Sequence, residues 1–561
     1  MAGTVGIGYQ DFNDLIRDDI FYIDKTHFIK EWWENRDIVT LITRPRRFGK
    51  TLTMSMLERF WSVKYEKKGQ IFEGLSIWKE EKYRKLQGSY PVINLSFANV
   101  KGGDCHEIID KIYHVITNLY IEYSFIKDAG ILERKDKEYY ERITYDMKRS
   151  DAEMALLRLS NYLYRYYGNK VIILLDEYDT PMQEAYIGGF WDGIVSFIRG
   201  LFNSTFKANP YMERAVLTGI TRISKESIFS DLNNIEVVTT TSSKYADVFG
   251  FTQREVFVVL DEMGMSDKKE DVKRWYDGFN FGLEKDIYNP WSIINYLDKG
   301  KFAPYWANTS ENGLVSKLIR EGSTEIKEDF GLLLRGQAVK SEIDEEIIFS
   351  QLDDDNDEAV WSLLLASGYL RILGVSGQEY ELALTNHEVA IMFGRMVKGW
   401  FKKGHSNYNA FLKALFAGEL KAMNAYMNRV ALNTFSYFDT GKSPSGVEPE
   451  RFYHGFVLGL LVEAEGRYVI RSNRESGFGR YDVLLEPINR EDDGIIIEFK
   501  VHDPEDEDSL QDTVQAALGQ IEGKKYVQEL VSRGIPEERI RKYGFAFEGK
   551  KVLIGEPVVS R

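Results

Sequence analysis

Cysteine is nearly missing. Cys105 stands alone in 561 residues, so no intrachain disulfide can form and the chain suits a reducing compartment. Histidine is scarce as well. The seven His residues are scattered, and no Cys/His cluster has zinc-ligand spacing along the chain. A metal site is therefore expected to be built mainly from carboxylates, whose hard oxygens suit Mg²⁺ or Mn²⁺. No apolar run approaches the roughly 20 residues that span a bilayer. The opening "MAGTVGIGYQDF" lacks the basic-then-apolar order of a signal peptide. A cytoplasmic protein with no membrane partner is the expectation. Positive charge is not in excess either: 72 Lys and Arg face 87 Asp and Glu, a net charge of −15. That argues against general, salt-driven coating of nucleic acid. It leaves room for a local basic groove, or for a metal that offsets carboxylate charge. Internal repeats and low-complexity tracts are also absent.

What is present fits a soluble globular chain, with 43% hydrophobic and 28% charged residues. The length predicts roughly two to four domains. "DIVTLITRP", "YPVINLSFA", "KVIILLDEYD" and "ERAVLTGITR" read as buried strands, and helical sequence separates them. That alternation predicts an α/β layer with a largely parallel sheet. Short helices follow in "DVFGFTQREVFVVLDEMG" and "NPWSIINYLDKG", the latter with Pro290 near its start. Residues 321–430 read as mostly helical, with the acidic "DDDNDEA" as a solvated loop. The Gly/Pro/Ser-rich "FDTGKSPSGVEPE" reads as a linker into a final α/β domain. The expected division is 1–240 for the parallel-sheet core, 241–330 for a helical lid, 331–435 for a helical linker region and 436–561 for the last domain. Trp32 and Trp33 are expected in a core rather than as base-stacking platforms.

"RPRRFGKT" joins the first strand to a helical run and ends like a P-loop. Arg46, Arg47, Phe48 and Gly49 would form the turn, with Gly49 letting backbone approach a phosphate. Lys50 would reach the β and γ oxygens of ATP, and Thr51 would ligate Mg²⁺. The helix N-terminus that follows favours anions too. One position departs from the general pattern: Arg44 stands where the first Gly of G-x-x-x-x-G-K-[ST] belongs. "VIILLDEYD" has the form of a Walker B strand. Asp176 would hold Mg²⁺ through water, and Glu177 would orient or deprotonate the attacking water. Thr218, Thr221 and Arg222 end the later strand, where a γ-phosphate sensor could sit. A plain strand-to-helix turn and a solvated strand end are the alternative readings.

The flanking sequence adds a resemblance. "FYIDKTHFI", "LITRPRRFGKT", "LLDEYDTP", "LTGITRIS" and "YNPWSIINYL" together resemble the divergent AAA-ATPase-like family of bacterial proteins, over about residues 5–297. Members typically carry the RPRRFGK[ST] form, so Arg44 agrees with the family. The resemblance implies a P-loop fold with a helical lid, ATP binding and hydrolysis. No role for Asp24, Lys25 and Thr26 follows from it.

Near the C-terminus, "GRYDVLLEPINREDDGIIIEFKV" places an Asp before one apolar run and Glu-x-Lys at the end of the next. A hairpin centred near Arg490 would set Asp482 opposite Glu498, with Lys500 on the same face as Glu498. Val483, Leu485, Ile497 and Phe499 would point into a core. Two opposed acids repel. A divalent cation would relieve that repulsion, polarise a phosphate and acidify a water. Lys500 could steady the developing charge. For each of the three residues taken singly, a solvated sheet face is the ordinary explanation.

Asp followed by Glu-x-Lys on adjacent strands resembles the PD-(D/E)XK nuclease superfamily. "YHGFVLGLL" and "SNRESGFGRYDV" resemble the nuclease-like domain that commonly follows the AAA-ATPase-like one, over roughly residues 448–556. Tyr481 replaces the Pro of the motif name. The superfamily often adds an acid from a preceding helix, here Glu450 with His454 one turn on. It often adds a polar partner from the following helix, here Gln520 with Lys524 one turn on. Two readings of the whole chain remain at this point: an ATP-dependent or ATP-gated nuclease acting on DNA, and a nucleotide-switched regulatory protein whose nuclease-like domain binds nucleic acid or a partner without cutting. No arginine finger stands out, so the sequence is compatible with either a homo-oligomer or a monomer.

Overall fold

The computed structural model describes residues 4–207, 209–221, 233–307, 315, 318–319, 324–344, 356–400, 409–434, 457, 461, 464, 467–472, 475–476, 479–480, 482–504, 507–548 and 551–557. The chain divides into two compact units. One comprises Met1–Leu318 with Lys340–Glu388, and the other Ile319–Val339 with Val389–Arg561.

The first unit is organised by a five-stranded sheet of β1 (Val39–Thr43), β2 (Val92–Ser96), β3 (Val171–Asp176), β4 (Met212–Gly219) and β5 (Ile235–Val238), in the order β2-β3-β4-β1-β5. Every pairing is parallel. Strands β1 and β3 are buried along their whole length, which is why they read as continuous apolar runs rather than alternating ones. β4 lies between β1 and β3, so the carboxyl ends of all three share one edge of the sheet. Open α/β sheets bind ligands at that edge. The expected strands and parallel sheet are all found. Trp32 is fully buried, and Trp33 stacks on Trp61 at 4.4 Å between ring centroids.

Beyond the sheet, β6 (Phe251–Thr252), β7 (Phe279–Phe281) and β8 (Glu284–Tyr288) pair antiparallel beside the expected helices Gln253–Glu262 and Pro290–Lys299. Pro290 opens its helix, and Asn289 caps it by accepting from the amides of Trp291 and Ser292. The helical middle stretch also contains a three-stranded sheet that the sequence reading did not pick out: β9 (Val339–Glu342), β10 (Leu370–Ser376) and β11 (Glu379–Leu384).

The second unit is built on β12 (Tyr468–Ser472), β15 (Val483–Pro487), β16 (Gly494–Val501), β17 (Ile540–Glu548) and β18 (Lys551–Gly555), in that spatial order. The minor pair β13 (Glu475–Ser476) and β14 (Gly479–Arg480) lies outside this sheet. β16 and β17 are parallel and the other neighbours antiparallel. Side-chain alternation divides the sheet between two cores. Val483, Leu485, Ile495, Ile497 and Phe499 meet Phe411, Leu415, Met423 and Met427 of two helices on one face. Leu484 and Ile496 meet Val514, Leu518 and Ile521 of helix Leu510–Gly523 on the other. The edge strand β18 is covered by helix Leu420–Thr434. Asn424 brackets Ile554 and Asn428 brackets Val552, each accepting from the backbone N–H and donating to the carbonyl. Four residues of helix rise about 6 Å and two residues of strand about 6.6 Å, so asparagines one turn apart can complete the ladder that a missing strand would supply.

Candidate functional site

The loop between β1 and helix Lys50–Trp61 turns through two left-handed residues, Arg47 at φ 66° and Gly49 at φ 81°. Gly49 caps the helix. Lys50 is buried, and its Nζ donates to the carbonyls of Arg44 and Pro45, both at 2.8 Å. Burial pushes its pKa down to about 8, against the pull of Asp176 and Glu177. Thr51 Oγ1 donates to Asp176 Oδ2 at 2.7 Å. The other oxygen of Asp176 accepts from Thr218 at the end of β4. The two phosphate-site motifs therefore converge on one carboxylate. Glu177 follows at φ 52°, with burial first and Asp176 second raising its carboxyl pKa. Thr180 Oγ1 donates to Glu177 at 3.3 Å.

Thr221 is buried, and both its amide and its hydroxyl donate to Asp179 Oδ2, at 3.0 and 3.2 Å. Asp179, missed in the sequence, also accepts from Ile220 N and Gln183. It ties the end of β4 to the end of β3. The only sequence signal was the second Asp of "DEYD". Arg222, the other sensor candidate on that strand, lies outside the described residues.

A cavity of about 480 Å³ opens over this edge. Arg46 to Thr51 and Glu177 line its polar end, and Ile7, Tyr9, Ile20, Val248, Phe251 and Trp291 line its apolar part. Phosphate-binding backbone beside an apolar slot fits a nucleotide. The Arg47 guanidinium stacks over the Trp291 ring at 4.5 Å. Phe48 is buried against Phe279 and Phe281. The Arg46 carbonyl is held by Asn289 Nδ2 and Trp306 Nε1, at 3.2 and 3.0 Å.

Arg44 explains its own departure from the general motif. Its side chain is wholly buried and donates to the carbonyls of Thr43, Val238 and Thr239. It lies over the Phe281 ring at 4.4 Å. The "DKT" residues also find roles. Asp24 accepts from Thr26 and Ser76. Lys25 Nζ joins Glu255, at 2.6 and 2.7 Å, and the Asp247 carbonyl at 2.7 Å.

In the second unit, β15 and β16 pair Val483 with Ile497, Leu484 with Ile496 and Leu485 with Ile495. Extending that register one step sets Asp482 against Glu498, as the hairpin pattern required. Phe499 N donates to Asp482 Oδ2 at 2.9 Å, and Asp482 N approaches Glu498 Oε2 at 3.4 Å. Glu498 is only 2% exposed. Its other oxygen accepts from Gln520 Nε2. Gln520 reaches it because helix Leu510–Gly523 lies close on the sheet at Gly544, the register partner of Glu498 on β17. A Cβ at 544 would meet Val514 O at 2.8 Å and Ala517 Cβ at 3.1 Å. Lys500 pairs with Ala546, two residues along β16 from Glu498, so the strand period puts both on one face. Asp482, Glu498, Gln520 and Lys500 thus share one face at the end of the hairpin. The two carboxylates offer only oxygens, a set that would fit Mg²⁺ or Mn²⁺. Glu450 and His454 lie outside the described residues.

Comparison with known proteins finds a match in each of the two units. Residues 6–229 match the AAA-ATPase-like family, described as a predicted AAA-ATPase, and residues 448–557 match the PD-(D/E)XK nuclease superfamily. The chain joins an AAA-ATPase-like domain to a PD-(D/E)XK nuclease superfamily domain. An uncharacterized protein in the vnfD 5′ region of Azotobacter chroococcum mcd 1 is 25% identical over 321 residues. The match spans 56% of this chain and 56% of that relative, little more than half of each. Among solved structures, the Aeropyrum pernix ORC2 protein in its ADPNP–ADP complexes is 10% identical, over 66% of this chain and 92% of that one. Its TM-score of 0.24 is too low to draw anything from. Among the described residues, no helix is long and apolar enough to cross a membrane.

Together the two domains imply use of a nucleotide and of a divalent metal. Thr51 and Asp176, joined by a hydrogen bond, could hold a cation that accompanies a nucleotide. Asp482 and Glu498 could hold one in the nuclease-superfamily domain.

Proposed function

We propose that the protein is an ATP-dependent or ATP-gated nuclease that hydrolyses DNA phosphodiester bonds with the help of Mg²⁺ or Mn²⁺. The observation that carries this reading is the meeting of Asp482 and Glu498 across the β15–β16 register, with Gln520 fixing one oxygen of Glu498. Two carboxylates kept that close repel each other, and a cation between them relieves the repulsion. When bound there, a divalent cation offsets the two acids and polarises the phosphate. Gln520 orients Glu498. Lys500 stands on the same face, where its ammonium steadies negative charge gathering on the phosphate oxygens. In the other domain, Lys50 takes the nucleotide phosphates, Asp176 and Thr51 hold the accompanying cation, and Glu177 orients the water that attacks the γ-phosphate.

The test is a cleavage assay on plasmid and single-stranded DNA, with Mg²⁺, Mn²⁺ or EDTA, and with or without ATP. Cleavage that needs the metal and responds to ATP is expected. Lys50→Ala should abolish ATP turnover and the ATP response together. No cleavage by the wild-type chain in any combination would leave only the nucleotide half of the proposal.

Lys50 also sets a pH dependence. Its pKa of about 8 in the free protein lies below the ordinary lysine value, because burial disfavours the ammonium. Bound phosphates favour the ammonium and raise that pKa. Below pH 8 the residue is charged in both states, and affinity is level. Above pH 8 the free protein loses the proton that the complex needs, so ATP affinity falls as pH rises. At pH 8 binding should take up about half a proton. Calorimetric titrations in two buffers of unlike ionisation enthalpy measure this, and equal heats in both would refute it.

A further inference from the structure

His27, Glu31 and Asp247 belong to neither site. His27 and Glu31 stand one turn apart on helix His27–Asn35, the spacing that puts two side chains on one face. Asp247 comes from the loop that precedes β6. One ligand atom from each of the three lies within 4.8 Å of the other two. His27 Nε2 is shut off from solvent and has no hydrogen-bond partner among the described residues. The nearest carboxylate oxygen, Asp247 Oδ1, is 3.6 Å away, within ion-pair reach of a protonated ring but long for a hydrogen bond to a neutral one. A ring nitrogen withdrawn from water and left without a partner is costly.

We infer that His27, Glu31 and Asp247 form a site for a divalent transition-metal cation of the Zn²⁺ class, which clamps helix His27–Asn35 to the wall of the nucleotide cavity. One imidazole and two carboxylates are a three-ligand set that such ions accept, with water completing the shell. The Asp247 side chain is 54% exposed, which gives the ion and its water a way in. A protonated His27 is the competing occupant. Burial works against the imidazolium, and Asp247 outweighs burial to raise the pKa. That proton brings one positive charge to two carboxylates and pairs Nε2 with Asp247 alone, whereas a divalent cation brings two charges and uses all three groups.

The scaffold around the trio is already rigid, as a metal site requires. Phe28 meets Tyr245 edge-on at 4.9 Å and Phe249 at 5.7 Å. Asn35 Nδ2 donates to Tyr245 Oη at 2.9 Å. Lys25 Nζ holds the Asp247 carbonyl at 2.7 Å. Lys25, Val248 and Gly250 all line the nucleotide cavity. An ion bound to Asp247 therefore stiffens the wall against which a nucleotide rests, and binding of the two is expected to be mutually favourable.

The test uses the full chain, stripped of metal and titrated with Zn²⁺ alone. The wild type should bind one more equivalent than His27→Ala, and Glu31→Gln should weaken that equivalent at least tenfold. The P-loop and nuclease-domain carboxylates are common to all the variants, so the difference isolates this trio. Asp247→Asn, on an exposed loop, carries the same test should a helix variant fail to fold. Equal Zn²⁺ stoichiometry and affinity in the wild type and all folded variants would overturn the site. A second measurement addresses the clamp: ATP affinity at saturating Mg²⁺, before and after one equivalent of Zn²⁺. A tighter ATP complex in the wild type but not in His27→Ala is expected. Zn²⁺ binding at the trio without that change would overturn the clamp while keeping the site. Neither result depends on whether the protein cuts DNA.

Discussion

Glu498→Gln should lower metal-dependent DNA cleavage by at least roughly 10³-fold, while ATP turnover stays at the wild-type level. The substitution is close to isosteric. Its Oε1 can still accept from Gln520, and the amide nitrogen that replaces Oε2 disturbs the long 3.4 Å approach of the Asp482 amide. Folding should therefore survive, and what disappears is the charge. Glu498 is 2% exposed, so no solvent carboxylate takes its place and raising the Mg²⁺ concentration should not restore the rate. Gln520→Ala removes only the group that orients Glu498, and a loss of about 10–100-fold is expected, as for partners that hold a metal ligand in place. Plasmid nicking followed over time measures both. Undiminished cleavage by Glu498→Gln would remove that residue from the site. If Asp482→Asn were equally active, the metal-centred reading would go with it.

Asp482, Glu498 and Lys500 could be placed from sequence because the contact that unites them is local. A hairpin has one register once its turn is placed. The alternation of Val483, Leu485, Ile497 and Phe499 into one core and Leu484 and Ile496 into the other fixed which side the charges took. The P-loop and Walker B strands were legible for a similar reason: each is a continuous apolar run that ends in its functional residues. Contacts made across long stretches of chain were not legible. Lys25 finds Glu255, and Arg46 is held by Asn289 and Trp306. Nothing in the local pattern of either partner announces such a pairing. His27 and Asp247 are in the same position, which is why scattered histidines in the sequence did not predict a metal site in the fold. The β10–β11 hairpin was hidden by its own irregularity. A register shift between Ile372 and Gly374 breaks the period of two. Leu373 and Val375 are about half exposed, at 49% and 56%, so the apolar residues do not mark a buried face.

Arg44→Gly restores the general P-loop pattern, and it is expected to damage the protein rather than improve it. Arg44 lies inside the first unit, where burial pulls its pKa down. Its charge is spread over the carbonyls of Thr43, Val238 and Thr239 and over the Phe281 ring. Removing the guanidinium takes a charged donor from those carbonyls, leaving Thr239 O to Ser242 N and Val238 O to Thr43 Oγ1, and opens a cavity behind the loop. Loss of a buried, hydrogen-bonded group of this kind costs about 3–5 kcal/mol. Arg44→Lys should recover only part of it, because an ammonium on a shorter stem cannot span acceptors on β1 and beyond β5 or stack on Phe281. The Arg44 carbonyl also receives Lys50 Nζ at 2.8 Å, so a loosened backbone at 44 should weaken ATP binding along with stability. Urea unfolding followed by tryptophan fluorescence, read for the transition that added ATP shifts, isolates this unit from the other. If Arg44→Gly kept that transition within about 0.5 kcal/mol of the wild type and bound ATP as well, Arg44 would not be the bracket that lets this loop do without the first glycine.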